Sequence, residues 1–312
     1  MSLAPLELPR EARPYDVLCL GLNACDHICL VPGPPPRGGK LRMRRMVTTG
    51  GGQAATAACA LARLGWRVAY AGVCGDDEAG RRVEPWLRAF GVESVGLVVR
   101  PGTGSQRAFI MVEEGSGERT IVWYRDQDCV LRPEDLDPRL IASARVLHLD
   151  GHFLEASLAA ARLAREHGTL VSLDGERVHP GSRELAALCQ VVVGSRRYPR
   201  RLTGVEDPAR AVAQIAALGP RWAGYTDGER GAWLWVEGRL LHQPAFTVQA
   251  VDTTGAGDVF HAGLVHAILL GRGPEEALRT ACGLAALSVT ALGGRGRLAT
   301  RDELERFLER QP

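Results

Sequence analysis

The sequence predicts an α/β fold built on a doubly wound, mostly parallel β-sheet. Between residues 144 and 195, apolar runs that end in small or polar residues (ARVLHLDG, TLVSLDGE, VVVGS) alternate with helical segments such as LAAARLAREHG. Earlier in the chain, YDVLCLG at 15–21 has the near-continuous hydrophobicity of a parallel strand that is buried on both faces. Because alternating strands and helices place helices on both faces of a parallel sheet, these observations indicate the doubly wound class.

Length and charge limit the possible classes of protein. The chain has 312 residues, of which 46% are hydrophobic, so it can bury a full core. Its net charge of +2 comes from interspersed acidic and basic residues, which indicates neither a nucleic-acid partner nor a membrane surface. No apolar run approaches the roughly 20 residues of a membrane helix, and the N-terminus lacks signal-peptide features, so we expect a cytoplasmic protein. We expect one domain over residues 15–312, preceded by a tail over 1–14.

The eight cysteines include no CxxC pair and mostly stand within apolar stretches. This pattern is typical of a reducing compartment, in which cysteines act as small core hydrophobes. It does not predict a zinc site.

The most informative stretch is VDTTGAGDVFHAG at 251–263, where small residues stand between two acids just before a helical pattern begins. Gly255 and Gly257 let the backbone turn tightly and direct its N–H groups to one point. The start of this helix is therefore predicted to bind a phosphate or a developing negative charge. Asp258, in the first turn, either only offsets the helix dipole or is a general base that deprotonates an attacking hydroxyl.

Other segments carry further candidate binding features. Asp26 follows the strand at 15–21, where open α/β sheets bind ligands, and its carboxylate could hold substrate hydroxyls. The segment at 48–65 changes from a glycine loop into an Ala-rich helix whose start can approach a ligand closely. Lys40 ends a Pro- and Gly-rich loop and is a candidate contact for an anionic group. The segment RAFIMVEEGSGERTIVWY at 107–124 alternates around a Gly-Ser-Gly turn, which predicts a β-hairpin.

The string DTTGAGD followed by VFHAG resembles the C-terminal signature of the PfkB family of carbohydrate kinases. Four further segments occur in the family's order, so the resemblance covers about residues 15–308. It implies the ribokinase-like fold and ATP-dependent phosphorylation of a sugar hydroxyl, with Mg²⁺ as a cofactor. It also implies a small β-sheet lid over the sugar, drawn from segments near 22–48 and 96–125, and a homodimer formed through that lid.

The resemblance, together with the positions of single residues in the predicted strands and loops, suggests roles for individual side chains. Asp258 becomes the catalytic base, and the backbone of Gly255, Ala256 and Gly257 becomes the anion hole. The candidates for sugar binding are Asp26, Lys40, Gly51, Gly52, Thr56 and His261. The candidates for nucleotide binding are Thr226, Gly228, Gly231, Asp252, Thr253 and Gly293. The metal candidates are Asp174 and Glu176 for Mg²⁺, and Asp252 with Thr254 for K⁺.

The chain departs from the family pattern at two places. Thr56 stands where the family has an asparagine that contacts the sugar, so the substrate preference of common members does not transfer. The string SRRY at 195–198 stands where ribokinases carry Asn-Glu-x-Glu, which helps to place the metal and the phosphate. Either acids elsewhere, such as Asp174 and Glu176, take over the metal, or an arginine of this string binds phosphate directly. The sequence leaves both alternatives open.

Several strings, above all HQPAFTVQAVDTTGAGDVFHAG, look most like sulfofructose kinases, a branch of the family that acts on a 6-sulfonated ketose. His261 matches a histidine of that branch, but the arginine expected for the sulfonate is not evident around residues 150–152. We therefore expect an ATP-dependent sugar kinase whose substrate is a ketose such as 6-sulfofructose. The alternatives are a kinase of another sugar, a sugar phosphate or a nucleoside, and a non-catalytic sugar or nucleotide sensor on the same fold.

Overall fold

The computed structural model describes residues 3–311 and contains a large and a small β-sheet. The strands are β1 Tyr15–Leu20, β2 Ala24–Val31, β3 Arg45–Gly51, β4 Val68–Gly75, β5 Glu93–Arg100, β6 Arg107–Glu113, β7 Arg119–Tyr124, β8 Ala144–Leu149, β9 Leu170–Gly175, β10 Val191–Ser195, β11 Trp222–Thr226, β12 Ala232–Val236 and β13 Arg239–Gln243. The α-helices are α1 Gln53–Arg63, α2 Gly80–Arg88, α3 Pro138–Ala142, α4 Leu154–Glu166, α5 Ser182–Leu188, α6 Arg197–Thr203, α7 Pro208–Ala216, α8 Ala256–Leu269, α9 Pro274–Ser288 and α10 Arg301–Glu309.

The large sheet has the strand order β13-β12-β11-β10-β9-β8-β1-β4-β5. The strands from β11 to β5 in this order are parallel, whereas β12 and β13 form an antiparallel edge. The direction of winding reverses between β8 and β1. Open α/β sheets bind ligands beyond the carboxyl ends of their strands at such a point, so the residues that follow β1 and β8 are expected to border the site. The predicted doubly wound sheet is confirmed.

Helices cover both faces of the large sheet, as the alternation in the sequence requires. Val17 and Cys19 of β1 face a core formed with α1, α8 and α9, whereas Leu18 and Leu20 face a second core formed with α4 and α5. Helix α8 is apolar on nearly all sides, and every residue from 259 to 269 is buried. A helix that is hydrophobic all round is held by packing along its whole length, so the N-terminus of α8 is fixed rigidly.

The small sheet is the predicted lid and has the order β3-β2-β6-β7. Cross-strand partners share a face, so Asp26, Ala108 and Trp123 lie on one side of it. The next set along, His27, Phe109 and Val122, lies on the other side. This alternation follows from the two-residue period of a strand.

The second lid segment begins later than the sequence suggested. Strand β5, Glu93–Arg100, pairs in parallel with β4 and so belongs to the large sheet rather than to the lid. The lid strands of this segment start at Arg107, and they form the predicted hairpin with Glu113 and Arg119 on either side of its turn.

The expected N-terminal tail is packed against the domain. Residues 3–14 form no helix or strand, but Leu3 and Leu6 are buried in the core beside α8 and α9. Arg13 donates to the carbonyl of Ala144 and to the hydroxyl of Thr169. These contacts tie the segment to the start of β8.

The eight cysteines are free thiols, and all but Cys29 are buried, as predicted for core hydrophobes. Within residues 3–311, no helix is both long and apolar enough to cross a membrane.

Candidate active site

A cleft of about 440 Å³ lies between the lid and the carboxyl ends of the large sheet. It brings together the following residues that the sequence singled out: Asp26, Gly51, Gly52, Thr56, Asp174, Glu176, Thr226, Thr254, Gly255, Gly257, Asp258 and His261. It does not include Lys40, which is exposed on the loop between β2 and β3. The lid contributes Ala108, Ile110, Arg119, Ile121 and Trp123 to the wall of this cleft.

The glycine turn before α8 has the geometry of an anion site. Gly255 caps the helix with φ 75°, in the left-handed region that favours glycine. A Cβ at this position would lie 2.6 Å from Cα of Gly294, so the close approach of the two glycine turns also requires Gly255. The N–H groups of Gly257 and Asp258 have no hydrogen-bond partner among the described residues. These free donors and the helix dipole together favour an anion at this point.

Asp258 lies in the first turn of α8 at the bottom of the cleft. Its pKa is raised well above its ordinary value because burial disfavours the charged form. The nearby carboxylates of Asp174, Glu176 and Asp150 raise the pKa further. A carboxylate with a raised pKa is a stronger base than an ordinary one, which suits it to accept a proton from a hydroxyl.

Asp26 points from the lid strand β2 towards the glycine loop that precedes α1. A Cβ on Gly51 would lie 1.8 Å from Oδ2 of Asp26, so the carboxylate occupies the space that a side chain would need. Asp26 is only 7% exposed, and burial raises its pKa to about 6, partly opposed by the charge of Arg295. The carboxylate has no hydrogen bond within residues 3–311, which leaves its oxygens available to a ligand.

Arg295 joins the two glycine loops and was not recognised in the sequence. Its Nη2 donates to the carbonyl of Gly51 at 2.8 Å, and its Nε donates to Oγ1 of Thr56 at 3.3 Å. The guanidinium is almost fully buried, with 7% of the residue exposed. Thr56 is therefore tied to Arg295 in addition to lining the cleft. Nothing in the string GGRG at 293–296 predicts that its arginine contacts residues as distant in sequence as Gly51 and Thr56.

Asp174 and His261 form a buried pair behind Asp258, with 3.2 Å between Oδ1 and Nε2. Burial acts most strongly and raises the pKa of Asp174, but the contact with His261 and the other nearby histidines together outweigh burial, so the pKa of this carboxyl is lowered. His148 packs 5.5 Å from His261, and burial together with His261 lowers the pKa of His148 to about 3, which keeps that ring neutral. The side chain of Gln53 also approaches Asp174, at 3.5 Å.

Glu176 lies at the mouth of the cleft and is half exposed. Its Oε2 lies 3.4 Å from Nε2 of His152, and this contact lowers the pKa of Glu176. The side chain of His152 also contacts Gln53. Among residues 3–311, no group of three or more His, Cys, Asp and Glu side chains could hold a metal ion.

Asp252 joins the loop between β13 and α8 to the loop that follows α9. Its carboxylate accepts from the backbone N–H of Thr254 at 2.8 Å and of Gly293 at 2.7 Å. The hydroxyl of Thr254 is buried without a hydrogen-bond partner in the described part of the chain. Arg119 of the lid donates to Oγ1 of Thr253 at 2.6 Å, so the lid touches this loop directly.

The predicted nucleotide turn lies at the far end of the cleft. Thr226 ends β11 and lines the cleft, whereas Gly228 and Gly231 lie in the turn to β12 and do not line it. Both glycines have positive φ, and a Cβ on Gly231 would lie 2.0 Å from the carbonyl oxygen of Gln243. Nη1 of Arg196 lies 3.5 Å from Oδ2 of Asp227, so this arginine forms an ion pair with an acid of the turn.

The chain is similar to known carbohydrate kinases in sequence and in structure. The model of the pfkB family of carbohydrate kinases matches residues 15–301. The ribokinase of Haemophilus influenzae is 31% identical over 306 residues, which cover 93% of this chain and 97% of that protein. Probable fructokinase-4 of Arabidopsis thaliana is 30% identical over 287 residues, or 83% of this chain and 87% of that protein. The crystal structure of a provisionally assigned ribokinase from Agrobacterium tumefaciens has a TM-score of 0.88 at 31% identity, covering 95% of this chain and 97% of that chain.

Proposed function

The chain belongs to the pfkB family of carbohydrate kinases, and within this class of phosphotransferases we propose that it transfers the γ-phosphoryl group of ATP to a sugar hydroxyl beside Asp258. The observation that carries the proposal is the position of Asp258. Its recessed carboxyl lies in the same helical turn as the free N–H groups of α8. A base and an anion site within one turn suit a reaction in which a hydroxyl loses its proton while negative charge develops on phosphate oxygens.

In this mechanism the sugar lies between the lid and α8. Asp26 accepts hydrogen bonds from sugar hydroxyls, and the loop at Gly51 and Gly52 allows the sugar to approach the backbone closely. Asp258 accepts the proton of the hydroxyl that attacks. The N–H groups at the start of α8 stabilise the charge of the phosphoryl group as it transfers. The lid excludes water, which would otherwise compete as the acceptor.

The nucleotide is proposed to lie along the loops at Thr226 and Gly293, with Gly228 and Gly231 shaping the adjoining turn. Asp174 and Glu176 fit a Mg²⁺ ion that arrives with the phosphates, since such an ion needs only one or two carboxylates besides phosphate and water. Glu176 is the better candidate because Asp174 is already paired with His261. When bound, Mg²⁺ neutralises charge on the phosphates.

A K⁺ site is proposed beside Asp252. The buried, unpaired hydroxyl of Thr254 supports it, because a buried polar atom normally has a partner. A cation there would add positive charge next to the anion-binding turn. The test is turnover in potassium chloride against choline chloride at equal ionic strength. Equal rates in the two salts would contradict the K⁺ site.

The proposed sugar is a ketose such as 6-sulfofructose. The resemblance to the sulfofructose branch suggests it, and His261, which matches a histidine of that branch, lines the cleft. The relatives named above are described as acting on two different sugars, ribose and fructose, so the family alone does not choose the substrate.

The lid is proposed to pair two copies of the chain. Its face away from the cleft exposes apolar side chains: Met46 is 56% exposed, Phe109 56%, Val122 59% and Tyr124 62%. A contiguous apolar surface of this kind is typical of an interface. The mass by sedimentation should be that of a dimer, and Val122→Lys should give the monomer. A monomeric wild-type protein at micromolar concentration would contradict this proposal.

The first experiment measures ADP release with Mg-ATP across 6-sulfofructose, fructose, fructose 6-phosphate, ribose, 2-keto-3-deoxygluconate and adenosine. Asp258→Asn should lower kcat by about 10²–10⁴-fold while ATP still binds, because loss of a general base has this size of effect. Glu275→Gln is the matched control, since Glu275 is an exposed acid in the first turn of another helix, α9, and does not line the cleft. Equal activity of Asp258→Asn and Glu275→Gln would show that Asp258 is not the base.

A further inference from the structure

We propose that Arg295 makes the hydroxyl of Thr56 a hydrogen-bond donor to an oxygen of the acceptor sugar, the opposite role to that of the accepting carboxylate of Asp26. Arg295 is then a positioning residue, since it acts through Thr56 and does not itself line the cleft. The inference rests on the proposed function, because it concerns the sugar that this function places in the cleft. It assigns donation and acceptance at the sugar site to two different side chains.

The hydroxyl oxygen of Thr56 is engaged by a cation. Nε of Arg295 donates to Oγ1 of Thr56 at 3.3 Å, and both residues are buried. Thr56 also lines the cleft. In the described part of the chain, no group accepts from the hydroxyl of Thr56. A hydroxyl has a single O–H to donate, so the O–H of Thr56 is the group that remains for a ligand.

The charge of Arg295 favours donation by Thr56 over further acceptance. A hydrogen bond from a cation draws electron density from the hydroxyl oxygen, and linked hydrogen bonds strengthen one another in a buried site. A sugar hydroxyl that approached Oγ1 as a donor would also bring its positive end towards the guanidinium. The sugar therefore presents the lone pair of an oxygen to Thr56.

The guanidinium of Arg295 is held from several sides. Nη2 donates to the carbonyl of Gly51 at 2.8 Å. A Cβ on Gly50 would clash with Nη1, so the guanidinium occupies the space that a side chain there would need. The preceding residue, Gly294, packs against Gly255 of the anion-binding turn. Arg295 therefore has a fixed place between the sugar loop and this turn, from which it can orient Thr56.

Asp26 supplies the opposite kind of hydrogen bond. Burial raises the pKa of Asp26 to about 6, and the charge of Arg295 opposes this rise, so Arg295 favours the ionised carboxylate. An ionised carboxylate only accepts hydrogen bonds. The same arginine thus supports a donor at Thr56 and an acceptor at Asp26, and both line the cleft.

The contact also gives a physical reason for the departure from the family pattern at position 56. The family has an asparagine there, and an amide side chain both donates and accepts. Thr56 is shorter, and its oxygen is already engaged by Arg295. A sugar that needs an acceptor at this place is therefore expected to bind less well than one that presents an oxygen.

The test uses the sugar of the panel with the highest kcat/KM and analogues in which one hydroxyl at a time is replaced by hydrogen or by fluorine. Fluorine can accept a weak hydrogen bond but cannot donate one. At the hydroxyl that faces Thr56, the fluorine analogue should have a kcat/KM about threefold or more above that of the hydrogen analogue. At the hydroxyl that faces Asp26, fluorine should be no better than hydrogen, because the carboxylate only accepts.

Variants of the pair then identify the donor. Thr56→Val should lower kcat/KM for the parent sugar about 10-fold and Arg295→Met about 10–100-fold, and both should remove the advantage of fluorine over hydrogen. The KM for ATP should change less than about threefold in either variant. Thr56→Ser keeps a hydroxyl and should keep the advantage of fluorine, and Arg295→Lys should recover part of it. Thermal melts of each variant report folding separately.

Arg297→Met is the matched control, because Arg297 also donates to a threonine hydroxyl, that of Thr290 at 3.2 Å, but is exposed and does not line the cleft. The proposal is overturned if no fluorine analogue is better than its hydrogen counterpart in the wild type. It is also overturned if Thr56→Val keeps the advantage of fluorine, or if Arg295→Met lowers kcat/KM equally for every analogue.

Failure of the proposed function would look different, since no sugar would then give turnover that depends on Asp258. Calorimetric binding of the same analogues to the wild type and to Thr56→Val would still test the donor in that case. Equal affinity of the two proteins for every analogue would overturn it.

Discussion

Two helices begin at the cleft after a glycine with positive φ. They differ in whether a protein group accepts hydrogen bonds from the N–H groups of the first turn. Helix α1 starts after Gly52, with φ 88°, and α8 starts after Gly255, with φ 75°. At α1 the carboxylate of Asp150 accepts from the N–H of Ala54 at 3.2 Å. At α8 no protein group accepts from the corresponding N–H groups in the described residues.

The difference shows how one local pattern serves two purposes. At α1 the protein supplies its own anion, and Asp150 also accepts from Leu22 and His152, so it joins the ends of β1 and β8 to the helix. This anion site is structural. At α8 no protein group in the described residues accepts from these donors, and the acid within the turn, Asp258, is the proposed base.

Asp150→Ala should remove about 3 kcal/mol or more from the free energy of unfolding, because two buried N–H groups and one partly buried N–H group lose their acceptor, and each unsatisfied group costs about 1–3 kcal/mol. Urea unfolding at pH 7.5 measures the loss. Asp137→Ala is the matched control, since it removes an exposed carboxylate that caps the short helix α3 and should cost about 1 kcal/mol. Equal losses in the two variants would mean that Asp150 does not hold the start of α1.

Gly255→Ala should lower kcat by about 100-fold, because the added Cβ would meet Gly294 and shift the donors of the anion site. Gly271→Ala is the control at the other end of α8. Gly271 has φ 70°, and a Cβ there meets no atom within 4 Å, so this change carries only backbone strain. Steady-state assays with the best sugar of the panel, alongside thermal melts, compare the two variants. A similar kcat in both would contradict a catalytic role for this turn.

Asp26, which lies between the two helix starts, should make stability depend on pH. Its pKa is about 6 in the folded state and 3.8 when unperturbed, so the folded state binds the proton more tightly. Ionisation of Asp26 therefore lowers the free energy of unfolding as pH rises from about 3.8 to about 6, and this destabilisation is complete above pH 6. Asp26→Asn lacks this cost. Its advantage over the wild type should grow by about 1 kcal/mol between pH 5 and pH 7.5, as urea unfolding would show. A difference in the free energy of unfolding that stays constant between these pH values would mean that ionisation of Asp26 does not destabilise the folded protein.

Much of the site could be predicted because its chemistry lies in short, continuous strings. The turn at 255–257 and the acid after it are adjacent in sequence, so their geometry follows from local backbone rules. Asp26 and Asp174 could also be predicted, because Asp26 closely follows the buried strand β1 and Asp174 lies near the end of the buried strand β9. Both side chains line the cleft. Lys40 showed no such context, and the structure leaves it outside the cleft.

The contacts that could not be predicted join residues far apart in the chain. Arg295 reaches Gly51 and Thr56 across more than two hundred positions, and Asp150 reaches Ala54 across 96. Nothing local marks either side chain as a partner, because a buried arginine or aspartate in a loop resembles an exposed one in sequence.

The sequence by itself determined the alternation of strands and helices, the lid hairpin, and the glycine turn with Asp258, because each depends on neighbouring residues and on periods of 2 or 3.6. Only the tertiary structure decided which helix start keeps its donors free, that β5 belongs to the large sheet, and that Arg295 donates to Gly51 and Thr56. The reason is physical. Whether a charge or a donor is satisfied depends on which distant groups the fold brings within hydrogen-bonding distance, and burial then sets the energetic consequence.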